Sequence, residues 1–405
     1  MKTPGLLLLL LVPFFVEALG VKALIITIPG SPLSLGALCS LGFGIPVLIT
    51  NKGRSSRIVQ SLLIIYLGAL VGAFFSDDVL GNISAALGQC FLLIGVYALA
   101  IEFSKQNLRL FWMLDAFMFA CWLYWFNYIA SKIPLLGAYT SYSALWTMGK
   151  VLNHHIPGLL ISVSAIYLAN RLIGRSKLAS YGIMGLTIVG CIVIDSRSNV
   201  LFSTLGLVWM IFQHRKLSVR FVLISLVALY GLFYTTSRLF EDYKFLRRRF
   251  DVQNQEYQSA TVQSRIYFYE RFLVELARLP LGRGIENTKV EHDYKMMLLH
   301  NQFLTFILAG GLIAMVGIIM LFSTFFRILF RYHYRSERAV VSPYIIPIKG
   351  FSLVLMATLT TIEFGGSIVY LCFATMSFLE IHYKMQVETE KKRAKLNARS
   401  AAVSE

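Results

Sequence analysis

Residues His300 to Phe326, HNQFLTFILAGGLIAMVGIIMLFSTFF, contain no Asp, Glu, Lys or Arg. A run of that length exceeds the ~20 apolar residues that an α-helix needs to cross a bilayer core. Similar runs recur from Leu6 almost to His382, and the 405-residue chain is 57% hydrophobic and only 15% charged. These features describe an all-α polytopic membrane protein and exclude an ordinary soluble globular fold. The five cysteines, Cys39, Cys90, Cys121, Cys191 and Cys372, all fall inside apolar runs. They have neither disulfide-framework nor metal-ligand spacing and read as small packing residues.

Working outward from that run, the expected spans are Leu6 to Leu19, Pro32 to Thr50, Ile58 to Phe75, Ile83 to Ile101, Leu110 to Ile129 and Ile156 to Ala169. They continue with Leu178 to Ile194, Val200 to Phe212, Phe221 to Tyr234, His300 to Phe326, Tyr344 to Thr361 and Ser367 to His382. That gives about twelve helices, the first read as a retained helix and not as a cleaved signal peptide. The net charge of +17 would suggest nucleic acid in a soluble protein. Here its distribution reports sidedness instead, and no nucleic-acid partner is expected. Alternate loops hold Lys52, Arg54 and Arg57; Lys105 and Arg109; Arg171, Arg175 and Lys177; Arg215, Lys216 and Arg220; Arg327, Arg331, Arg335 and Arg338; and the KKRAK tail. The opposite short loops hold only Lys22, Lys132, Lys150 and Arg197. The bias predicts cytoplasmic termini.

The chain therefore divides into residues 1–234, helices one to nine; 235–299, an outer lid; 300–384, helices ten to twelve; and 385–405, a basic cytoplasmic tail. The lid carries eleven basic residues, although loops of its length largely escape the charge bias. Within it Leu239, Tyr243, Leu246 and Phe250 recur at helical spacing with Lys244, Arg247, Arg248 and Arg249 between them, the pattern of a helix lying on a membrane surface. A second helix is expected from Ser264 to Leu279, stopped by Pro280 and followed by a turn at Leu281 to Gly284.

Few residues in such a chain can carry chemistry. Arg197 lies in a tight outer turn, DSRSN. It reads either as an interfacial arginine paired with Asp195 or as a planar fork for phosphate oxygens. Arg265 is expected to begin the second lid helix, where the macrodipole does not favour a cation and an anionic ligand would compensate. His300 and Asn301 open span ten. His300 reads as a cap or interface residue, or as an imidazole that the helix N-terminus keeps neutral and able to act as a general base. Gly310 and Gly311 read as small residues that let a helix approach. Asp115 and Glu363 are ionisable groups within or beside spans, either proton carriers or partners of polar neighbours. Asp77 and Asp78 are too few ligands for a metal site, and Glu241 and Asp242 offset nearby lid cations.

Four of these pieces stand in a meaningful order: RSNVL (Arg197 to Leu201), QSR ending at Arg265, PLGRG (Pro280 to Gly284) and HNQFLTFILAGG (His300 to Gly311). Together they resemble the O-antigen ligase and polymerase family, with a glycine turn one residue tighter than the fuller family spacing. The resemblance implies a GT-C-like fold of about twelve transmembrane helices in the bacterial inner membrane, with a large helical periplasmic loop between helices nine and ten. It implies that Arg197 and Arg265 bind the pyrophosphate of an undecaprenyl-diphosphate-linked glycan donor and that His300 assists attack by an acceptor hydroxyl. Asn301, Arg247, Arg248, Arg249 and Arg283 would contribute substrate contacts, and the basic lid helix would meet membrane lipids and the phosphorylated acceptor. A single displacement would invert the anomeric centre, with no metal and no cofactor. The implied activity is O-antigen ligation to lipid A-core. A polymerase of the same donor is the nearest alternative, and a proton-coupled secondary transporter using Asp115 or Glu363 is the alternative of another class.

Overall fold

The computed structural model describes residues 35–50, 55–106, 108–130, 155–193, 196–214, 255–285, 288, 290–292, 295–297, 301–332, 341–360 and 367–404. In chain order these form α1 (Leu35–Thr50), α2 (Arg57–Ala73), α3 (Val79–Ser104), α4 (Leu108–Ala130), α5 (His155–Leu172), α6 (Lys177–Val193) and α7 (Arg197–Gln213). Then come α8 (Gln255–Arg278), β1 (Val290–His292), β2 (Lys295–Met297), α9 (Gln302–Phe326), α10 (Ser342–Thr358) and α11 (Ser367–Ser404). Apart from the short antiparallel hairpin, which pairs Val290 with Met297 and His292 with Lys295, every described element is helical. The expected spans at Leu6 to Leu19 and Phe221 to Tyr234, the surface helix around Lys244 to Arg249, and Glu241, Asp242 and Glu363 lie outside the described residues.

By length and composition, Val79–Ser104 suffices to cross a membrane, and so would the apolar run Gln302–Arg331 if it were one straight helix, but that run, which continues α9 through a π-helical turn, reverses at Gly311. Arg57–Ala73, Lys177–Ile192, Ser342–Thr358 and other apolar helices are shorter. The sequence reading of His300 to Phe326 as one span is corrected here. Gly311 has φ 59° and ψ −146°, and the rings of Phe303 and Phe322 sit 4.8 Å apart. In a straight helix, positions nineteen residues apart are separated by about 28 Å. The chain doubles back at Gly311, making a short arm, 302–310, and a long arm that starts at 312. The basic segment after residue 384 continues the last helix: α11 runs unbroken to Ser404, because Glu388, Lys391, Lys392 and Ala394 are strong helix formers with Glu placed N-terminal to Lys.

Helix α2 shows how the bundle is built. Ser56 accepts the amide of Val59 as N-cap, and Ile58, Leu62, Ile65, Tyr66, Ala69 and Ala73 form one buried stripe. Gly68 and Gly72 on this helix lie against Gly310, Ala309 and Ala314, while Gly317 lies on the backbone of Ser61 and Ile65. Small residues thus bring α2 and α9 into backbone contact.

The helix ends that carry most of the basic residues meet at one end of the bundle. There the buried Glu380 of α11 accepts from Ser56 Oγ at 3.0 Å and from the amides of Arg57 at 2.7 Å and Ile58 at 3.3 Å. A carboxylate from a distant helix therefore satisfies the first-turn donors of α2. Conversely, buried Lys349 of α10 donates to the carbonyls of Leu329 at 3.2 Å and Tyr332 at 3.1 Å, closing the end of the α9 run. The rings of Phe103, Phe111, Tyr344 and Phe378 join α3, α4, α10 and α11 at the same end. Asp115 belongs to this end as well. Arg171 grips it through Nε at 2.9 Å and Nη2 at 2.8 Å, Tyr167 donates to it at 2.8 Å, and Tyr344 donates at 3.4 Å. Of its two readings, the structure gives Asp115 the role of a partner to polar neighbours.

Candidate active site

The opposite end of the bundle holds the start of α7, the 280–284 turn and Asn301. Arg197 is the first residue of α7 and Ser196 its N-cap. The turn is pinned from both sides: the Ser196 amide donates to Cys191 O at 3.0 Å, and Asn199 Nδ2 donates to Ser196 Oγ at 2.7 Å. Asn199 is fully buried against Gly158 of α5, where any side chain would collide with its amide. Beneath it Ser203 Oγ donates to Ser162 Oγ at 2.7 Å, and Ser162 Oγ to Gly158 O at 2.6 Å. Ser196 and Asn199, which flank Arg197 in the SRSN string, thus hold the place from which Arg197 starts.

Helix α10 relates this turn to Asn301. Gly206 of α7 faces Val354, and Gly350 faces Trp209, so α7 and α10 run antiparallel in a register that sets Leu359 beside the first turn of α7. Leu359 O accepts the amide of Gln302 at 3.0 Å. The start of the short arm of α9 and the start of α7 therefore converge at the end of α10. Asn301 caps the short arm, its Oδ1 accepting from Phe303 N at 3.0 Å and Leu304 N at 3.2 Å. His300, immediately before it, lies outside the described residues, as do Arg247, Arg248 and Arg249.

Arg265 does not begin a helix. Helix α8 starts at Gln255, so the expectation based on the helix N-terminal dipole fails: the polar stretch before Ser264 is itself helical. Further along the helix, Phe268 and Phe272 are buried.

The turn at 280–284 is the part of the site whose purpose becomes visible only in three dimensions. The amide of Arg283 donates to Leu308 O at 3.0 Å and that of Gly284 to Ala309 O at 3.0 Å, while Leu312 N donates to Pro280 O at 2.8 Å. The reversal leaves carbonyls exposed at the end of the short arm and amides exposed at the start of the long one. One turn caps both. Gly282 and Gly284 have φ of +87° and +84°, a region side chains resist, and a Cβ on Gly311 would lie 2.1 Å from Pro280 O. Arg283 Nη1 reaches Glu275 Oε2 on α8 at 3.1 Å. Burial pulls its guanidinium below the ordinary arginine range, and the Glu275 charge opposes that shift.

Glu275, the pairing of β1 with β2 and the reversal have no counterpart among the features read from the sequence. For the reversal the signal was the Gly-Gly pair itself. Asp78, exposed at the α2–α3 turn, accepts Gly81 N at 2.9 Å and caps α3.

These features define a class: an all-helical bundle with long apolar helices, whose helical lid docks by a glycine turn onto a reversal in one of them. Residues 182–319 match the family model described as O-antigen ligase (Wzy_C). That window contains Arg197, Arg265, the 280–284 turn, Asn301 and Gly311. No curated protein and no solved structure matches.

Proposed function

We propose that the protein is an O-antigen ligase, transferring a polysaccharide from undecaprenyl diphosphate to lipid A-core on the periplasmic face of the bacterial inner membrane. The observation that carries this reading is the match of residues 182–319 to the O-antigen ligase model, and the capping of the Gly311 reversal by the PLGRG turn supports it by joining two of the four motif segments within that window. In this reading the basic end faces the cytoplasm, both termini lie there, and the chain spans the membrane about twelve times.

Arg197 and Arg265 hold the pyrophosphate, whose leaving oxygen gains charge as the glycosidic bond breaks. His300 accepts the proton of the acceptor hydroxyl as its oxygen bonds to the anomeric carbon, and undecaprenyl diphosphate departs from the opposite face with inversion. Asn301 and the cluster Arg247, Arg248 and Arg249 contact the substrates, the cluster beside anionic headgroups. Arg283, expected among those contacts, has its guanidinium on Glu275, and its part is taken up below.

The test is reconstitution. Purified protein in liposomes, given undecaprenyl-diphosphate-linked polysaccharide and lipid A-core, should form the joined product with no other enzyme. His300→Ala should lose about 10²- to 10⁴-fold in rate with donor binding kept. No transfer by the wild-type protein to any lipid A-core acceptor overturns the reading.

A further inference from the structure

Arg283 touches two elements at once. Its backbone amide is bonded to Leu308 O on the short arm of α9, and its guanidinium is bonded to Glu275 in the last turns of α8. Both side chains are largely withdrawn from solvent, at 16% exposure for Arg283 and 21% for Glu275. The more exposed Arg278 stands 3.9 Å from the other oxygen of the same carboxylate. A screened surface pair would contribute little, whereas a half-buried guanidinium that loses its carboxylate is left with an uncompensated charge.

We propose that Glu275 is a positioning residue: through Arg283 it fixes helix α8, which bears Arg265, relative to the short arm that Asn301 caps. The proposal rests on the reading above, in which the donor is held on the lid and the proton acceptor stands at the foot of the arm. Neither Glu275 nor Arg283 touches the reacting atoms. They set the distance between groups that do, and a misplacement of about 1 Å between such groups costs on the order of 10²-fold in rate.

Glu275→Gln keeps the shape of the side chain and removes its charge. In the full-length protein in nanodiscs it should lower turnover roughly 10- to 100-fold, leaving donor affinity, measured without acceptor, within about twofold. Arg283→Gln should behave alike, and the exchanged pair Glu275→Arg with Arg283→Glu should recover most of the loss. Amide hydrogen exchange gives a readout independent of activity: Glu275→Gln should speed exchange at 281–284 and 302–312 and leave α2 unchanged. Loss of donor binding in Arg283→Gln beside normal Glu275→Gln would make Arg283 a substrate contact and overturn the proposal. So would wild-type turnover in both variants, or unchanged exchange at 281–284 and 302–312. An inactive wild-type protein with the expected exchange pattern would instead count against the transferase reading while leaving the clamp standing.

Discussion

The amide of Leu312 donates to the carbonyl of Pro280 at 2.8 Å, so the first residue of the long arm of α9 is capped by a residue of the lid. This bond and its two neighbours contribute about 0.5–1.5 kcal/mol each, and they depend on glycine at 311. Gly311→Ala would set a methyl against Pro280 O and add a conformational cost of about 1–3 kcal/mol, since φ 59° with ψ −146° is a backbone region that essentially only glycine occupies. Reduced thermal stability of the detergent-purified variant, with faster proteolysis within 255–285, is the expected outcome. A variant as stable and protease-resistant as wild type would mean that the lid is held by other contacts.

How far the sequence foretold this is clearest at α9. Hydropathy registers how apolar a run is but not its direction, and Ile307, Leu308, Leu312 and Ile313 are equally apolar on both sides of the reversal. Only the Gly310-Gly311 pair marked the place. Gly310 does let α2 approach, as expected from its size, whereas Gly311 turns the chain. The helices at Arg57–Ala73, Val79–Ser104 and Ser342–Thr358 begin and end within a few residues of their apolar runs, since polar residues and caps punctuate those ends. Helix α8 stops before Pro280 as read but starts nine residues earlier than expected, because polar helix formers before Ser264 leave no hydropathy signal. Lys349 and Glu380 were illegible for another reason: each meets its partners on other helices, and no spacing in the chain announces it. Glu275 meets Arg283 only because the chain turns at Pro280 to Gly284.

Arg197→Ala and Arg265→Ala should each abolish transfer while the protein still inserts and folds, because pyrophosphate departure needs cationic stabilisation. Lysine at either position should restore little, since a point charge does not reproduce a bidentate contact. Product formation from labelled donor, measured beside circular dichroism of each variant, decides it. Near-normal transfer by both alanine variants would remove the pyrophosphate clamp.

Chelation of divalent cations should leave transfer intact, as should Asp77→Asn combined with Asp78→Asn. Asn is as good an N-cap as Asp, so the second change should also spare the cap on α3. Turnover that disappears in chelator and returns with one added metal would show that the leaving group is stabilised differently.

Asp115→Asn tests the transporter alternative. The carboxylate is engaged by Arg171, Tyr167 and Tyr344, and neutralising it leaves Arg171 without its counter-charge. The expected effect is a loss of stability on the order of 1–3 kcal/mol, the pair being partly solvent-exposed, with glycan transfer per folded molecule unchanged. A proton flux in liposomes that vanishes in this variant would favour transport over transfer.

The last prediction separates ligase from polymerase. Both use the same donor, so Arg197, Arg265 and His300 would serve either reaction, and mutating them is uninformative on this point. Only the acceptor differs, and the acceptor decides what accumulates when the protein is missing. A ligase null should build up undecaprenyl-linked glycan that is already polymerised, beside lipopolysaccharide carrying bare core. A polymerase null should instead place single repeat units on the core, because ligation continues without chain growth. Gel profiles of lipopolysaccharide and of the lipid-linked pool from the same strain therefore give opposite patterns. Single repeats on the core in the null strain would defeat the ligase assignment while leaving the family, the lid-capped reversal and the arginine chemistry untouched.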